Sequence, residues 1–347
     1  MAVASALGDR AEILWIGGEG GMEASIVARH GIAFEAVPAA GVHGVGLRAL
    51  PGNALQLMRG WREAKVILKR FQPDVLFFTG GYVGVPVSQA GRSFPSVMYV
   101  PDIEPALALK WIGRTVDVVA VTAPESRHYF PQDKRVEVTG YPIRPSLREA
   151  NRDEARKFFD LTDDPVLLVF GGSRGARSIN EALWKILPAL LNHTQVLHVT
   201  GELDWPRVKQ VLDTLPESKA ANYHPCRYLH EEMGLALAAA DLVVSRAGAA
   251  TMGEYPHFGL PSILVPYPHA WRYQKDNAAY LESRAAGVVL PDERLGSDLY
   301  TMVSSLLSDP ARLKSMSQAA AWLAVHDAAE SIATLLLEIG QEGGTRG

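Results

Sequence analysis

Val166-Leu167-Leu168-Val169-Phe170 runs without a polar interruption into Gly171-Gly172-Ser173-Arg174-Gly175-Ala176, and Arg177-Ser178-Ile179-Asn180 follows with helical composition. A strand that is apolar at every position is covered on both faces, the condition of a parallel sheet flanked by helices. The small residues behind it let a backbone approach a bound group closely. The first N–H groups of the helix, with its dipole, favour an anion there. Ser173 adds a hydroxyl donor. The pattern is neither G-x-x-x-x-G-K-[ST] nor G-x-G-x-x-G. A tight strand–helix connection without a ligand reads the same way, so the motif alone leaves both open.

The same alternation fills most of the chain. Strands are expected at 13–16, 75–79, 97–100, 116–121 and 136–139, then at 166–170, 195–200, 242–245, 262–265 and 287–290. Helix-length stretches between them supply crossovers, so the class is α/β. The expected architecture is two doubly wound Rossmann-like domains facing a cleft. The first spans 1–145 and the second 146–310, hinged around residue 145 before a charged helix over 149–159. A C-terminal helix over 311–340 is expected to cross back to the first domain, followed by a frayed tail at 341–347. The chain opens inside a helix at 2–7, directly before strand 13–16, where a strand and glycine turn normally come first. That strand is therefore expected beside a gap or a sheet edge.

Composition narrows the function. The 347 residues are 48% hydrophobic and 21% charged, enough apolar content for a folded chain. A formal charge of -4 argues against a nucleic-acid partner. A single cysteine, Cys226, excludes an internal disulfide and fits a reducing cytosol. No apolar run approaches the ~18 residues of a membrane span, and residues 1–7 lack the basic start of a secretory signal.

A second strand–turn–helix motif is Ser245-Arg246-Ala247-Gly248-Ala249-Ala250-Thr251-Met252-Gly253-Glu254. Its carboxylate stands one turn into the helix, where it can accept from vicinal ribose hydroxyls or simply complement the dipole. Two such turns at the carboxyl ends of one sheet point to a nucleotide. Gln274 and Asn277 lie three apart and share a helix face that could meet sugar hydroxyls, or could be only a polar face. In the first half, Gly80-Gly81-Tyr82 closes another strand. Gly17-Gly18-Glu19-Gly20-Gly21 departs from G-x-G-x-x-G because Glu23 replaces the last glycine, and it reads as a plain turn. Residues 55–70, around Trp61, mix apolar and basic positions at helical spacing, which suits an anionic lipid surface or ordinary core packing. No D-x-D triplet and no histidine ligand spacing marks a metal site, and Asp102-Ile103-Glu104 is the nearest approach.

Together these motifs resemble the MurG family, bacterial transferases that add N-acetylglucosamine to lipid I in peptidoglycan synthesis. The resemblance runs through Met22-Glu23-Ala24-Ser25, His30-Gly31-Ile32, Pro73-Asp74-Val75, Gly80-Gly81-Tyr82-Val83 and Lys110-Trp111. It continues through Gly140-Tyr141-Pro142-Ile143-Arg144, the 171–176 turn, 249–254 and Gln274 with Asn277. It implies a GT-B fold of glycosyltransferase family 28. It also implies that Gly171, Gly172, Ser173, Arg174, Gly175 and Ala176 meet the UDP diphosphate, with Arg144 approaching it. Glu254 would take the ribose hydroxyls, while Gly248, Ala249, Ala250, Thr251, Met252 and Gly253 line the same pocket. The backbone at His230 would meet uracil, Gln274 and Asn277 the sugar, and Trp61, Gly80, Gly81 and Tyr82 the acceptor and membrane. The chain departs from the family in three places. The N-terminal strand with its G-G-T-G-G-H loop has no counterpart, Tyr99-Val100-Pro101-Asp102 replaces H-E-Q-N, and Tyr273 replaces a glutamine.

The resulting expectation is an inverting, metal-independent transferase without a cofactor. It would move GlcNAc from UDP-GlcNAc to undecaprenyl-pyrophosphoryl-MurNAc-pentapeptide at the cytoplasmic face of the membrane, with Asp102 or Glu104 as general base. Other readings are a GT-B transferase for a glycolipid or diacylglycerol, a UDP-GlcNAc 2-epimerase, or a non-catalytic UDP-sugar-binding remnant.

Overall fold

The computed structural model describes residues 1–21, 23–39, 50–172, 175–268 and 273–344. The chain divides into one unit of Met1–Pro142 with Asp327–Gly347, and a second of Ile143–His326.

In the first unit, β1 (Leu14–Gly18) and β2 (Ala33–Val37) form a two-stranded parallel sheet. β3 (Leu76–Phe78), β4 (Ser96–Val100), β5 (Val118–Val121) and β6 (Arg135–Val138) form a four-stranded parallel sheet in that order. Among the described residues β1 ladders with β2 alone and β3 with β4 alone, so the strand read at 13–16 is an edge strand. The unbroken apolar runs serve two cores. Met98, Val100, Val119 and Val121 meet Ala64, Ile67 and Leu68 of the helix Leu50–Phe71. The alternate positions Val97, Tyr99, Val118 and Ala120 meet Val3 and Leu7 together with Ile332, Leu336 and Ile339. Side chains alternate across a strand, so coverage of both faces demands apolar residues at every position.

That second core corrects the expected C-terminal helix over 311–340. The stretch is two helices, Pro310–Trp322 and Ala328–Gly344, the first in the second unit and the other in the first. No glycine or proline marks the break at 323–327; it falls where one apolar face ends and another begins. Residues 341–344, expected as tail, continue the helix, and 345–347 lie outside the described residues.

The second unit holds one six-stranded parallel sheet, built from β7 (Val166–Phe170), β8 (Gln195–Val199), β9 (Tyr223–Cys226), β10 (Leu242–Ser245), β11 (Ser262–Leu264) and β12 (Gly287–Val289). Its order is β12-β11-β10-β7-β8-β9, so the winding reverses between β7 and β10. β9 escapes the sequence reading because His224 and Pro225 interrupt it; an edge position tolerates a proline that lacks the N–H donor. The charged helix expected over 149–159 starts later, at Arg152, where Asn151 Oδ1 accepts from the N–H groups of Asp153 and Glu154 at 2.9 and 3.1 Å.

A buried polar chain supports this sheet beside the helix Arg177–Leu190. Trp184 Nε1 donates to the Tyr223 hydroxyl at 3.1 Å, and that hydroxyl bonds His198 Nδ1 at 2.9 Å. His198 Nε2 bonds Asn180 Oδ1 at 3.0 Å, and Asn180 Nδ2 donates to both the Thr200 carbonyl and Asp204 Oδ2 at 2.9 Å. Read in one direction, each group donates to the next, which leaves the proton of a neutral His198 on Nε2. Burial agrees, pushing the His198 imidazole down to about 3. Asn180→Ala should therefore cost about 2–4 kcal/mol by leaving His198 Nε2 and the Thr200 carbonyl without their partner, while Asp204 keeps Arg177. Urea denaturation measures it, and a loss under about 1 kcal/mol would show that the chain is not needed for stability.

Candidate functional site

The turn after β7 is built around glycine. Gly172 and Gly175 have φ of +91° and +78°, which side chains rarely adopt. A Cβ on Gly175 would also fall far inside contact with the Thr200 carbonyl, and one on Gly171 would strike the Ala176 backbone. The Gly175 N–H donates to the Gly172 carbonyl at 2.9 Å and closes the turn. Ala176 is the N-cap of the helix Arg177–Leu190, and no side chain among the described residues caps that end. Its first N–H groups and dipole face the turn, an arrangement suited to an anion. Ser173 and Arg174, expected on the diphosphate, lie outside the described residues.

The turn after β10 stands beside it, because β7 and β10 are hydrogen-bonded neighbours. Ala247 is fully buried, whereas Gly248, Ala249 and Ala250 are partly exposed. Thr251, Met252 and Gly253, expected to line the same pocket, are buried at the start of the helix that follows the turn. Thr251 Oγ1 donates to the Gly248 carbonyl at 2.7 Å and holds the turn from inside. Asn277, expected at the sugar, is fully buried, and its Nδ2 donates to the Ala247 carbonyl at 3.1 Å.

Glu254 closes this pair of turns from the first turn of the helix Thr251–Phe258. Burial pushes its carboxyl up to about 7, against the opposing charge of Arg144, which immediately precedes the short helix Pro145–Arg148. Gln274 accepts at Oε1 from the Tyr267 N–H at 2.8 Å, which fixes the amide and directs its nitrogen elsewhere. His230 is exposed, and its N–H donates to Glu232 Oε2 at 3.0 Å. Glu232 was not legible as a partner; the only signal is its acidic type two residues after His230. A groove of about 470 Å³ opens at the other end of this sheet, lined by Asp241 and Pro261 ahead of β10 and β11.

In the first unit, Gly80 and Gly81 have φ of +123° and +79°, and Tyr82 is exposed behind them. Trp61 is half-buried under Lys65, whose Nζ lies 4.2 Å from the ring centroid. Glu104 pairs with Lys110 Nζ at 2.5 Å, while Asp102 follows the end of β4 in the same loop. The turn after β1 satisfies itself: Glu23 Oε1 accepts from the Gly18 N–H at 3.0 Å, as its reading as a plain turn implies. Tyr99, at the family's histidine position, is buried with its hydroxyl 2.7 Å from Thr122 Oγ1.

Comparison with known proteins agrees with this geometry. Residues 1–121 match the glycosyltransferase family 28 N-terminal domain, and residues 166–332 its C-terminal domain. The UDP-N-acetylglucosamine--N-acetylmuramyl-(pentapeptide) pyrophosphoryl-undecaprenol N-acetylglucosamine transferase of Roseiflexus sp. (strain RS-1) is 39% identical, across 93% of this chain and 82% of its own. The transferase of the same name from Listeria monocytogenes serovar 1/2a is 36% identical over 95% and 91%. Among solved structures, Acinetobacter baumannii MurG matches with a TM-score of 0.76 at 23% identity, covering 97% of this chain and 94% of its own. A UDP-GlcNAc 2-epimerase from Neisseria meningitidis shares the fold alone, at 0.68 and 13% over 97% and 95%. On the strength of both domains and these relatives, the chain belongs to glycosyltransferase family 28, among the MurG transferases.

Proposed function

We propose that the chain transfers GlcNAc from UDP-GlcNAc to a polyprenyl-linked muramyl acceptor, the lipid I to lipid II step for which its relatives are named. One observation supports the donor site most. Two small-residue turns meet at the point where the sheet reverses its winding, and beside them stand a helix end with no capping side chain among the described residues and the largely buried carboxylate of Glu254. Open α/β sheets bind nucleotides at that point, because neighbouring loops there diverge and leave a crevice.

In this reading the diphosphate lies on the 171–176 turn, against the helix Arg177–Leu190, with Arg144 adding positive charge. Glu254 accepts from the ribose hydroxyls, the His230 backbone meets uracil once Glu232 gives way, and the Gln274 amide nitrogen meets the sugar. The acceptor hydroxyl attacks the anomeric carbon, the bond to UDP breaks, and configuration inverts. Helix dipole and Arg144 stabilise the charge developing on UDP, so the reading requires no metal. Asp102 or Glu104 takes the hydroxyl proton. Acceptor binding falls to the first unit, where Tyr82 and Trp111 are exposed. The helix Leu50–Phe71 sets exposed Leu55, Met58 and Val66 among Arg62, Lys65 and Lys69, a face suited to an anionic membrane surface. No helix of the described residues is long and apolar enough to cross a membrane.

Glu254 makes the donor site pH-dependent. The folded chain holds its proton up to about 7, the unfolded chain only to its ordinary 4.5. Stability should thus fall as pH rises between those values, and Glu254→Gln should remove that slope. Ribose hydroxyls donate to the ionised form, so UDP-GlcNAc affinity should rise through pH 7 in the wild type. It should be weaker and flat in Glu254→Gln. Calorimetric titration at pH 6 and 8 decides it, and identical pH dependence in both proteins would remove Glu254 from the ribose.

The base is separable from the donor site. Asp102→Asn or Glu104→Gln should lower turnover of a lipid I analogue by about 10²–10⁴-fold, with UDP affinity unchanged and no response to EDTA. Full turnover from both variants would dismiss both acids, and loss of turnover on chelation would dismiss metal independence.

A further inference from the structure

Arg246 directly follows β10 beside both turns, where a free guanidinium would be expected to take the diphosphate itself. Its charge is already committed. Nη1 donates to Asp292 Oδ1 at 2.5 Å and to the Val265 carbonyl at 3.2 Å, while Nη2 donates to Ser178 Oγ at 2.7 Å. Ser178 Oγ in turn donates to Asp292 Oδ1 at 2.8 Å, which closes a three-membered ring of contacts. The Arg246 and Asp292 side chains are only 11% and 19% exposed, so water competes weakly for them.

The cluster joins segments that the strand ladders leave separate. Ser178 lies in the first turn of the helix Arg177–Leu190, and Asp292 opens the short 3-10 turn behind β12. The Val265 carbonyl follows β11. The guanidinium also lies 5.2 Å from the ring centroid of Tyr267, the residue whose N–H holds Gln274. One cation thus connects the diphosphate side of the proposed donor site to its sugar side.

We propose that Ser178, Arg246 and Asp292 are positioning residues for the donor. They hold the amino end of the helix Arg177–Leu190, and through the Tyr267 ring the residue that fixes the Gln274 amide, in the geometry that receives a sugar nucleotide, without touching it. This rests on the donor reading given above. Serine's small hydroxyl carries the contact between guanidinium and helix, so its loss frees the helix end while the fold persists.

The test compares UDP with uridine, which lacks the phosphates, by displacement of a labelled UDP-GlcNAc from the full chain. Ser178→Ala and Asp292→Asn should each weaken UDP about tenfold and uridine less than about twofold, with melting temperature held. Ser178→Thr, which keeps the hydroxyl, should restore UDP affinity. Unchanged UDP affinity in Ser178→Ala would overturn the proposal. So would equal losses for UDP and uridine with a falling melting temperature, the mark of a structural contact only. Wild-type chain that binds neither ligand would instead refute the donor reading, and that control precedes the variants. Should Asp292→Asn fold poorly, Ser178→Ala and its threonine rescue carry the test alone.

Discussion

The approach of the Gly175 backbone to the Thr200 carbonyl is the contact on which the donor half of this protein depends. It draws the turn after β7 against the end of β8, and only a residue without Cβ fits. The Thr200 carbonyl is itself held by Asn180, at the end of the chain that runs from Trp184 through Tyr223 and His198. Every member is buried or half-buried, so each bond is made in a medium where an unpaired group would be costly. The polar core therefore does for the glycine turn what side-chain packing alone cannot: it fixes the height of a backbone carbonyl.

Glycine turns are not equivalent, and the two units show why. After β1, Glu23 takes the Gly18 N–H and brings its own negative charge to the turn. After β7, the helix that follows has no capping side chain among the described residues, so its amino end keeps its pull on an external anion. The turn after β10 differs again. Thr251 and Asn277 satisfy its carbonyls from within, and the surface left over is the small-residue edge at 248–250 with Glu254 behind it.

Much of this was legible from residue order. The strands of the second unit are apolar at nearly every position, and their turns carry glycine where positive φ demands it, as at Gly172 and Gly175. β9 was not legible, because its stability comes from pairing with β8 and not from its own His224-Pro225 pattern. The break at 323–327 was not legible either, since no residue there opposes a helix. Asn277 reads as a surface amide by its spacing from Gln274, yet it lies inside, where it holds the Ala247 carbonyl.

By itself the sequence determined the class, the parallel sheets, the glycine turns and the kinship, because each rests on local rules: residue type, period and steric freedom of the backbone. Tertiary structure alone decided that the turns after β7 and β10 are neighbours, although some seventy residues separate them in the chain. It also decided that Arg246 spends its charge on Asp292, that Glu104 spends its own on Lys110, and that burial lifts the Glu254 carboxyl toward neutrality. Charge and hydrogen-bonding capacity belong to a side chain, but what they are used for depends on distance and dielectric, and both are set only when distant segments pack together.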